Sequence, residues 1–264
     1  MKLSIVFPVK NQTAKLVANL KSKVIPYYDS LGIDYEILIV SDGSDEPNQN
    51  AMILAMQSLP KQVKLIPYEN RQGKGHNVQR GFLAASGDYI MFMDSDMATD
   101  LHTLDRILPI IDQYAGFIAS RHCEGAHILS KQTLMRRFIS AMSRKLIKQK
   151  FRFAGINDSQ CGYKLFKAPV AKLLAKKQKD DGFAFDVEYL YILQLNGLKV
   201  KEVACDWTDD PDSSIARPFR TSFHFYREMK AIKKRKGQYL FSEEEKKSLS
   251  PNRITKAEEN GHVD

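Results

Sequence analysis

Tyr89-Ile90-Met91-Phe92-Met93-Asp94-Ser95-Asp96 joins five apolar residues directly to two carboxylates one residue apart. An apolar run of this length, with two aromatic residues and a β-branched one, is the pattern of a buried strand in a parallel sheet. The acidic half then falls at the carboxyl end of that strand, where open α/β sheets bind their ligands. Two carboxylates flanking one residue offer oxygen ligands to a hard divalent cation, Mg²⁺ or Mn²⁺, of the kind shared with substrate phosphates. A bare D-x-D arises often by chance, so its place after a buried strand carries the weight.

Working outward, Leu3 to Phe7 and Tyr35 to Val40 have the same apolar character, and Val63 to Pro67 predicts a shorter strand. Between them Thr13 to Ser30 reads as a helix, with Leu16, Leu20 and Val24 on one face. Further helices are expected over Asn48 to Ser58 and Lys74 to Ser86. Strands alternating with helices predict βαβ units and an α/β fold around a mostly parallel sheet. The strand ends read Pro8-Val9-Lys10-Asn11, Ser41-Asp42-Gly43-Ser44-Asp45 and Asp94-Ser95-Asp96. Three polar ends at one predicted sheet edge favour a ligand site there. Asn70 to Asn77 adds Arg71, Lys74 and two glycines. It is neither a Walker A loop nor a dinucleotide fingerprint. Beside the D-x-D it suits phosphate; alone it is equally an ordinary turn opening a helix.

The chain has 264 residues, 43% hydrophobic and 27% charged, which suits a soluble globular protein and excludes disordered and fibrous classes. Cys123, Cys161 and Cys205 form no CxxC pair, so a disulfide scaffold or zinc ribbon is not expected, and reduced thiols suit the cytosol. The apolar run at the amino terminus stops at Pro8, too short for a signal peptide. The longest apolar candidate, Arg106 to Ser120, is broken by Pro109, Asp112 and Gln113, short of the ~18 residues that span a bilayer.

The formal net charge of +9 points to an anionic partner. It is concentrated in two places. Gly125 to Asn157 carries +8 with no acid, and Ile215 to Gly237 carries +7, leaving the rest of the chain at −6. In the first, Leu134, Phe138, Met142 and Leu146 recur every four residues. That pattern fits a helix lying in a membrane interface, or one packing its stripe on the core with solvated cations opposite. In the second, Lys233 to Lys236 suits phosphates or anionic headgroups. Ser242 to Asp264 reads as a polar, mobile tail.

The pieces FPVKN, VSDGSDE, NRQGKGHNVQRGFLAASGDYIMFMDSDMATD, ASRH, GINDSQCGYKLF, FAFDVEYLYI and DWTDDPDSS follow one another over roughly residues 3 to 220. In that order they resemble the GT-A glycosyltransferases of family 2. Within them they resemble the dolichyl-phosphate glucosyltransferases and their polyprenyl-phosphate relatives. The resemblance implies a GT-A fold, Rossmann-like with a mostly parallel central sheet. It implies a catalytic domain over 1–220, followed by a basic amphipathic segment over 221–241 and the tail over 242–264.

The resemblance also implies roles at the matching positions. Pro8, Val9 and Asn11 would flank the base and ribose, and Asp42, with Gly43, would contact the nucleobase. Lys74 would lie near the sugar-phosphate. Asp94, Ser95 and Asp96 would bracket the metal and sugar diphosphate, with Asp94 and Asp96 as ligands. Arg121 would help to bind the acceptor phosphate. Asp158 falls where relatives place a catalytic acid, beside Gln160 and Lys164 on the acceptor side, and Asp186 and Glu188 would lie near sugar and acceptor. Three departures stand out. The first loop reads Asn11-Gln12 where the family has Asn-Glu, and Ala98-Thr99 follows the D-x-D as in the glucosyl branch. Ser214 is followed by Ile215 where the family has a lysine, which leaves Arg217 or Arg220 to supply the cation.

The implied reaction is an inverting transfer of a hexose, UDP-glucose being the favoured donor, to a polyprenyl or dolichyl phosphate. It would be metal-dependent and sit at the cytoplasmic face of a membrane, with an anionic lipid surface or a membrane-protein partner providing attachment. A family 2 transferase acting on a soluble or cell-surface glycan is the nearest alternative. A non-catalytic module binding anionic membrane or nucleic acid is another. Nucleic acid is disfavoured because Asp42, Asp94, Asp96 and Asp158 would repel a phosphate backbone. Cys161, Cys205 and Trp207 read as buried apolar residues, and Asp209, Asp210 and Asp212 as a solvated turn.

Overall fold

The structure, a computed structural model, describes residues 1–69, 73–130, 134–208 and 218–249. Its strands are β1 (Lys2–Pro8), β2 (Asp34–Val40), β3 (Val63–Leu65), β4 (Tyr89–Met93), β5 (Gly116–Ser120), β6 (His127–Ile128), β7 (Tyr163–Lys167), β8 (Val200–Ala204) and β9 (Asp206–Trp207). Its helices are α1 (Thr13–Asn19), α2 (Ile25–Ser30), α3 (Glu46–Met56), α4 (Lys74–Ala84), α5 (Thr103–Ile107), α6 (Leu134–Phe151), α7 (Ala168–Lys177), α8 (Phe185–Leu195), α9 (Pro218–Lys234) and α10 (Glu243–Ser248).

Seven strands form one sheet in the order β3-β2-β1-β4-β7-β5-β8, and β6 pairs with β9 beside it. β1 runs parallel to β2 and β4, β2 to β3, and β5 to β8. β7 alone is antiparallel to both its neighbours, β4 and β5. Because β7 reverses between them, β4 and β5 point the same way. The carboxyl ends of β1, β2, β4, β5 and β8 therefore share one edge. The loop leading into β7 starts from that edge too.

Side chains alternate across the sheet as strand geometry requires. On one face Val6, Phe92 and Phe166 pack with Phe82 of α4, Leu174 of α7, Tyr189 of α8 and Met229 and Ile232 of α9. On the other, Ile5, Phe7 and Met91 pack with Leu16, Leu20, Tyr28 and Ile107. Phe82, Phe92, Phe166, Phe185 and Tyr189 form a fully buried ring cluster, each contributing about 1.5–3 kcal/mol of burial free energy. α8 is buried from Phe185 to Leu193, as a helix apolar on nearly all sides must be.

The expected helix over 13–30 is one helical span whose middle, Leu20–Val24, is π-helical. Pro26 supplies the reason. It has no N–H for the carbonyl four residues back, and its ring would strike that carbonyl, so the preceding turn widens. The two basic segments behave differently from one another. In α9, Phe225, Met229 and Ile232 enter the core. In α6, Ile147 and Phe151 are buried, while Met135, Phe138 and Met142 remain 57%, 66% and 43% exposed. Past α9, Tyr239 and Phe241 are core residues, and α10 forms within the segment expected as a tail, closed by a capping box at Ser242 and Glu245. No helix among the described residues is long and apolar enough to cross a membrane.

Candidate active site

The shared edge brings the predicted pieces together. Pro8 and Val9 end β1 and are buried. Asn11, at φ +54, accepts the N–H of Asp45 at 2.8 Å and donates its own N–H to Ser44 Oγ. Gly43 turns the chain out of β2 at φ +78, a conformation open to glycine. Ser95 Oγ donates to Gln12 Oε1 at 2.8 Å, so the glutamine that departs from the family pattern ties the first loop to the D-x-D.

Asp94 is the hinge of the site. Its N–H donates to Gly162 O at 3.0 Å, and one carboxylate oxygen accepts Lys74 Nζ at 2.6 Å. A Cβ on Gly162 would lie 1.9 Å from Asp94 Oδ2, so only glycine lets the carboxylate sit there. Burial opposes the charge on Lys74, but Asp94, Asp186 and Asp96 together raise its pKa above the ordinary lysine value. Behind this pair the buried Lys164 Nζ bonds Asp186 Oδ1 and the carbonyl of Cys161. Burial pushes Asp186 upward despite Lys164 and Lys74.

On the acceptor side Asp158 is fully buried and grips Arg121 three ways. Nε donates at 2.6 Å, Nη2 at 2.8 Å, and the backbone N–H at 3.0 Å. Burial works to raise its pKa, but the guanidinium overcomes that and holds the carboxyl at about 2. Arg121 also lies over the Trp207 ring, 5.4 Å from its centroid. The Asn157 and Asp158 N–H groups donate to Glu202 of β8, which fixes the loop. Gln160 is half-buried beside them. His122 accepts from Arg144 of α6, and burial lowers its pKa, which keeps it neutral. Glu202 and Arg144 carry no sequence signal for this task, because each is one charge in an ordinary strand or helix pattern.

Three expected roles meet different geometry. Asp42 lies at the edge, but its carboxylate is closed in: Oδ1 accepts the Glu69 N–H at 2.7 Å and Oδ2 accepts Arg80 Nη1 at 2.6 Å. A base reaches it only if one of these partners yields. The helix start at residue 74 is not an open phosphate cradle. The N–H groups of Gly75 and His76 are taken by the carbonyls of Gly182 and Asp181 at 3.0 and 3.1 Å. Glu188 is fully buried and faces backbone rather than the cleft, accepting from the N–H groups of Lys179 and Asp180 and from the Tyr239 hydroxyl. Arg71, Arg217, Arg220 (as to its side chain), Asp209, Asp210, Asp212 and the Ser214-Ile215 pair lie outside the described residues.

For a divalent cation, Asp94 and Asp96 provide oxygen donors only, the set that suits Mg²⁺ or Mn²⁺, and Asp94 is 36% exposed. Asp42, Glu69 and His76 bring three ligand atoms within 4.8 Å, but Arg80 already bridges the two carboxylates at 2.6 and 3.1 Å. Each set already carries one cation, Arg80 there and Lys74 on Asp94, but the Asp42 carboxylate is closed off from solvent while that of Asp94 is open, so the D-x-D is the better fit.

The family profile of glycosyl transferase family 2 matches residues 4–174. The chain belongs to this family. It is a glycosyltransferase with the GT-A fold. Among curated proteins it is 27% identical over 242 residues to a dolichyl-phosphate beta-glucosyltransferase of Dictyostelium discoideum, covering 88% of this chain and 73% of the relative. It is 28% identical to the human protein of the same name, covering 83% and 70%. Among solved structures, glucosyl-3-phosphoglycerate synthase of Mycobacterium tuberculosis in complex with Mn²⁺, UDP and phosphoglyceric acid superposes with a TM-score of 0.61 at 17% identity, covering 89% of this chain and 78% of that one. In this glycosyltransferase the family match ends before α8, so the segment holding Asp186, Glu188 and Tyr239 lies beyond it.

Proposed function

We propose that this glycosyltransferase moves a hexose, glucose from UDP-glucose in the first place, onto a polyprenyl or dolichyl phosphate at the cytoplasmic face of a membrane. The observation that carries this reading is the placement of Arg121. It is a cation locked by Asp158 onto the same sheet edge as the D-x-D, beside a half-exposed, acid-free helix. The names of the curated relatives support the same donor sugar and acceptor class.

An acceptor phosphate oxygen attacks C1 of the sugar. The C1–O bond to the nucleoside diphosphate breaks as the new bond forms on the opposite face, giving a β-linked phospho-sugar from an α-linked donor. A phosphate monoester, with its second pKa near 6, is already an anion at neutral pH and needs no strong base. Asp158, held at about 2, is suited to fixing Arg121 rather than to taking a proton. Arg121 then holds the acceptor charge in place, and orientation of the two substrates supplies much of the rate. Asp94 and Asp96 would hold a divalent cation, which neutralises the diphosphate leaving group when bound. Lys74 adds a fixed positive charge at the same carboxylate.

Met135, Phe138 and Met142 of α6 are exposed, as are Ile128 and Leu129 at 44% and 67%, and α6 carries basic residues and no acid. Leu129 N–H bonds the Trp207 carbonyl, so Leu129 adjoins the residue on which Arg121 rests. Such a surface suits an anionic bilayer, with or without a membrane-protein partner.

The test is turnover with a panel of nucleotide sugars and polyprenyl phosphate, with Mg²⁺, Mn²⁺ or a chelator. UDP-glucose with either metal should support transfer, and Asp96→Asn should abolish it. Metal-independent turnover, or full activity in Asp96→Asn, overturns the metal assignment. Turnover with glycan acceptors alone overturns the lipid one.

A further inference from the structure

Glu188 is buried where a free carboxylate is expensive, yet every partner it has is a donor. Oε1 accepts the N–H of Lys179 at 3.0 Å, and Oε2 accepts that of Asp180, also at 3.0 Å. The Tyr239 hydroxyl donates to Oε1 at 2.5 Å. Tyr239 is itself fully buried, and Asn196, the residue that caps α8, holds its carbonyl and the Phe241 N–H at 2.9 and 2.7 Å. The segment after α9 is thus bolted to α8, and through Glu188 to the loop over 178–184. That loop has further inner ties: Gln178 Nε2 to the Asp180 carbonyl, and the Ala184 N–H to Asp180 Oδ1.

The outer side of the same loop holds the start of α4. Besides the bonds from Gly75 and His76, the contact is so close that a Cβ on Gly73 would fall 2.0 Å from the Asp181 carbonyl oxygen. One on Gly75 would fall 2.5 Å from that of Asp180. Lys74 stands between these two glycines, its Nζ on Asp94. A continuous set of contacts therefore runs from Tyr239 through Glu188, the loop and the first turn of α4 to Lys74.

We propose that Glu188 and Tyr239 are positioning residues for the donor site: they fix the loop, the loop fixes the first turn of α4, and that turn aims Lys74 at Asp94. This rests on the proposal that Lys74 and Asp94 handle the diphosphate of a nucleotide sugar. It assigns a task in the reaction to a segment beyond residues 4–174, which the family profile matches, and it gives Glu188 a donor-side task in place of the acceptor role expected of it.

The experiment is a double-mutant cycle between two residues that do not touch, Tyr239→Phe and Lys74→Ala, read as UDP-glucose binding by calorimetry and as KM for donor and for lipid phosphate. Removing one buried hydrogen bond should weaken donor binding about 3–10-fold in the wild-type background. The effect should fall below about 2-fold when Lys74 is already absent, since the two then act through one contact. Acceptor KM should stay constant, and amide exchange at Gly75 and His76 should quicken. Glu188→Gln, which turns a donor toward the loop N–H groups, should act in the same direction and more strongly. Equal loss in both backgrounds, or parallel loss of donor and acceptor affinity, overturns this inference and leaves the donor reading intact. A wild type that binds no nucleotide sugar overturns both. If Tyr239→Phe does not fold, Glu188→Asp in the same cycle decides.

Discussion

Asp158 accepts three hydrogen bonds from Arg121, and nearly all of its chemistry follows from that. Asp158→Asn keeps the shape but removes the charge and turns an amide donor toward a guanidinium that only donates. The expected result is a loss of about 10²-fold in kcat/KM for the lipid acceptor, with donor binding unchanged, measured by steady-state kinetics with each substrate varied. The same pairing has a signature in acid. The folded pKa near 2 lies below the ordinary value of about 3.8, so the stabilisation is complete above about pH 4 and disappears as the pH falls through 2. It amounts to about 2 kcal/mol, and the unfolding free energies of wild type and Asp158→Asn should converge towards pH 2 in denaturant titrations. Gly162 is the second diagnostic residue. Gly162→Ala puts a methyl group where the Asp94 carboxylate lies. Transfer should fall by at least about 10²-fold while the circular dichroism spectrum stays native. Near-wild-type activity would show that Asp94 works from another position.

At the level of elements, β1, β2 and β4 were legible because their burial is written as largely apolar runs. β7 was not. Its sequence YKLFK puts a lysine at the second position of a central strand, and single-sequence pattern gives no hint that Asp186, from a helix more than 20 residues on, neutralises it. β5 was hidden in the same way, inside a stretch that Pro109 and Asp112 make look irregular. The glycine-rich start of α4 fits by composition either a phosphate-binding loop beside the D-x-D or an ordinary turn opening a helix. What the glycines provide is room for the 180–182 backbone. The stripe on α6 left two readings open, and the helix divides between them, its carboxyl half packed and its amino half bare. That division makes a prediction of its own. Phe138→Glu and Met142→Glu should leave the melting temperature within about 2 °C, because neither side chain is buried. Both should reduce co-sedimentation with phosphatidylserine vesicles at low salt several-fold. Unchanged vesicle binding by both variants would remove α6 from the membrane contact.

Across the whole molecule, the charge of +9 resolves into an acidic body and two cationic helices. At the sheet edge itself two acids, Asp94 and Asp158, are each paired with a cation, Lys74 and Arg121. Sheet topology explains the arrangement. Reversal at β7 lets β5 and β8 point the same way as β4, so Arg121 and Trp207 arrive at the edge already occupied by Asp94. The sequence order of the motifs foretold which residues meet. It could not foretell that α8, Met229 and Ile232 of α9, Tyr239 and Phe241 fill the core behind the site, or that Glu188 and Asn196 tie down the neighbouring segments. The central claim is that a lipid phosphate, held by Arg121, receives the sugar. The most direct measurement is transfer of labelled glucose from UDP-glucose into the organic-extractable fraction with dolichyl phosphate and Mn²⁺, for the wild type and Arg121→Ala. The account predicts label in a β-linked lipid-phosphate sugar for the wild type and at least about a 10²-fold loss in the variant. Label that stays in the aqueous fraction, or transfer that Arg121→Ala leaves unchanged, would contradict it.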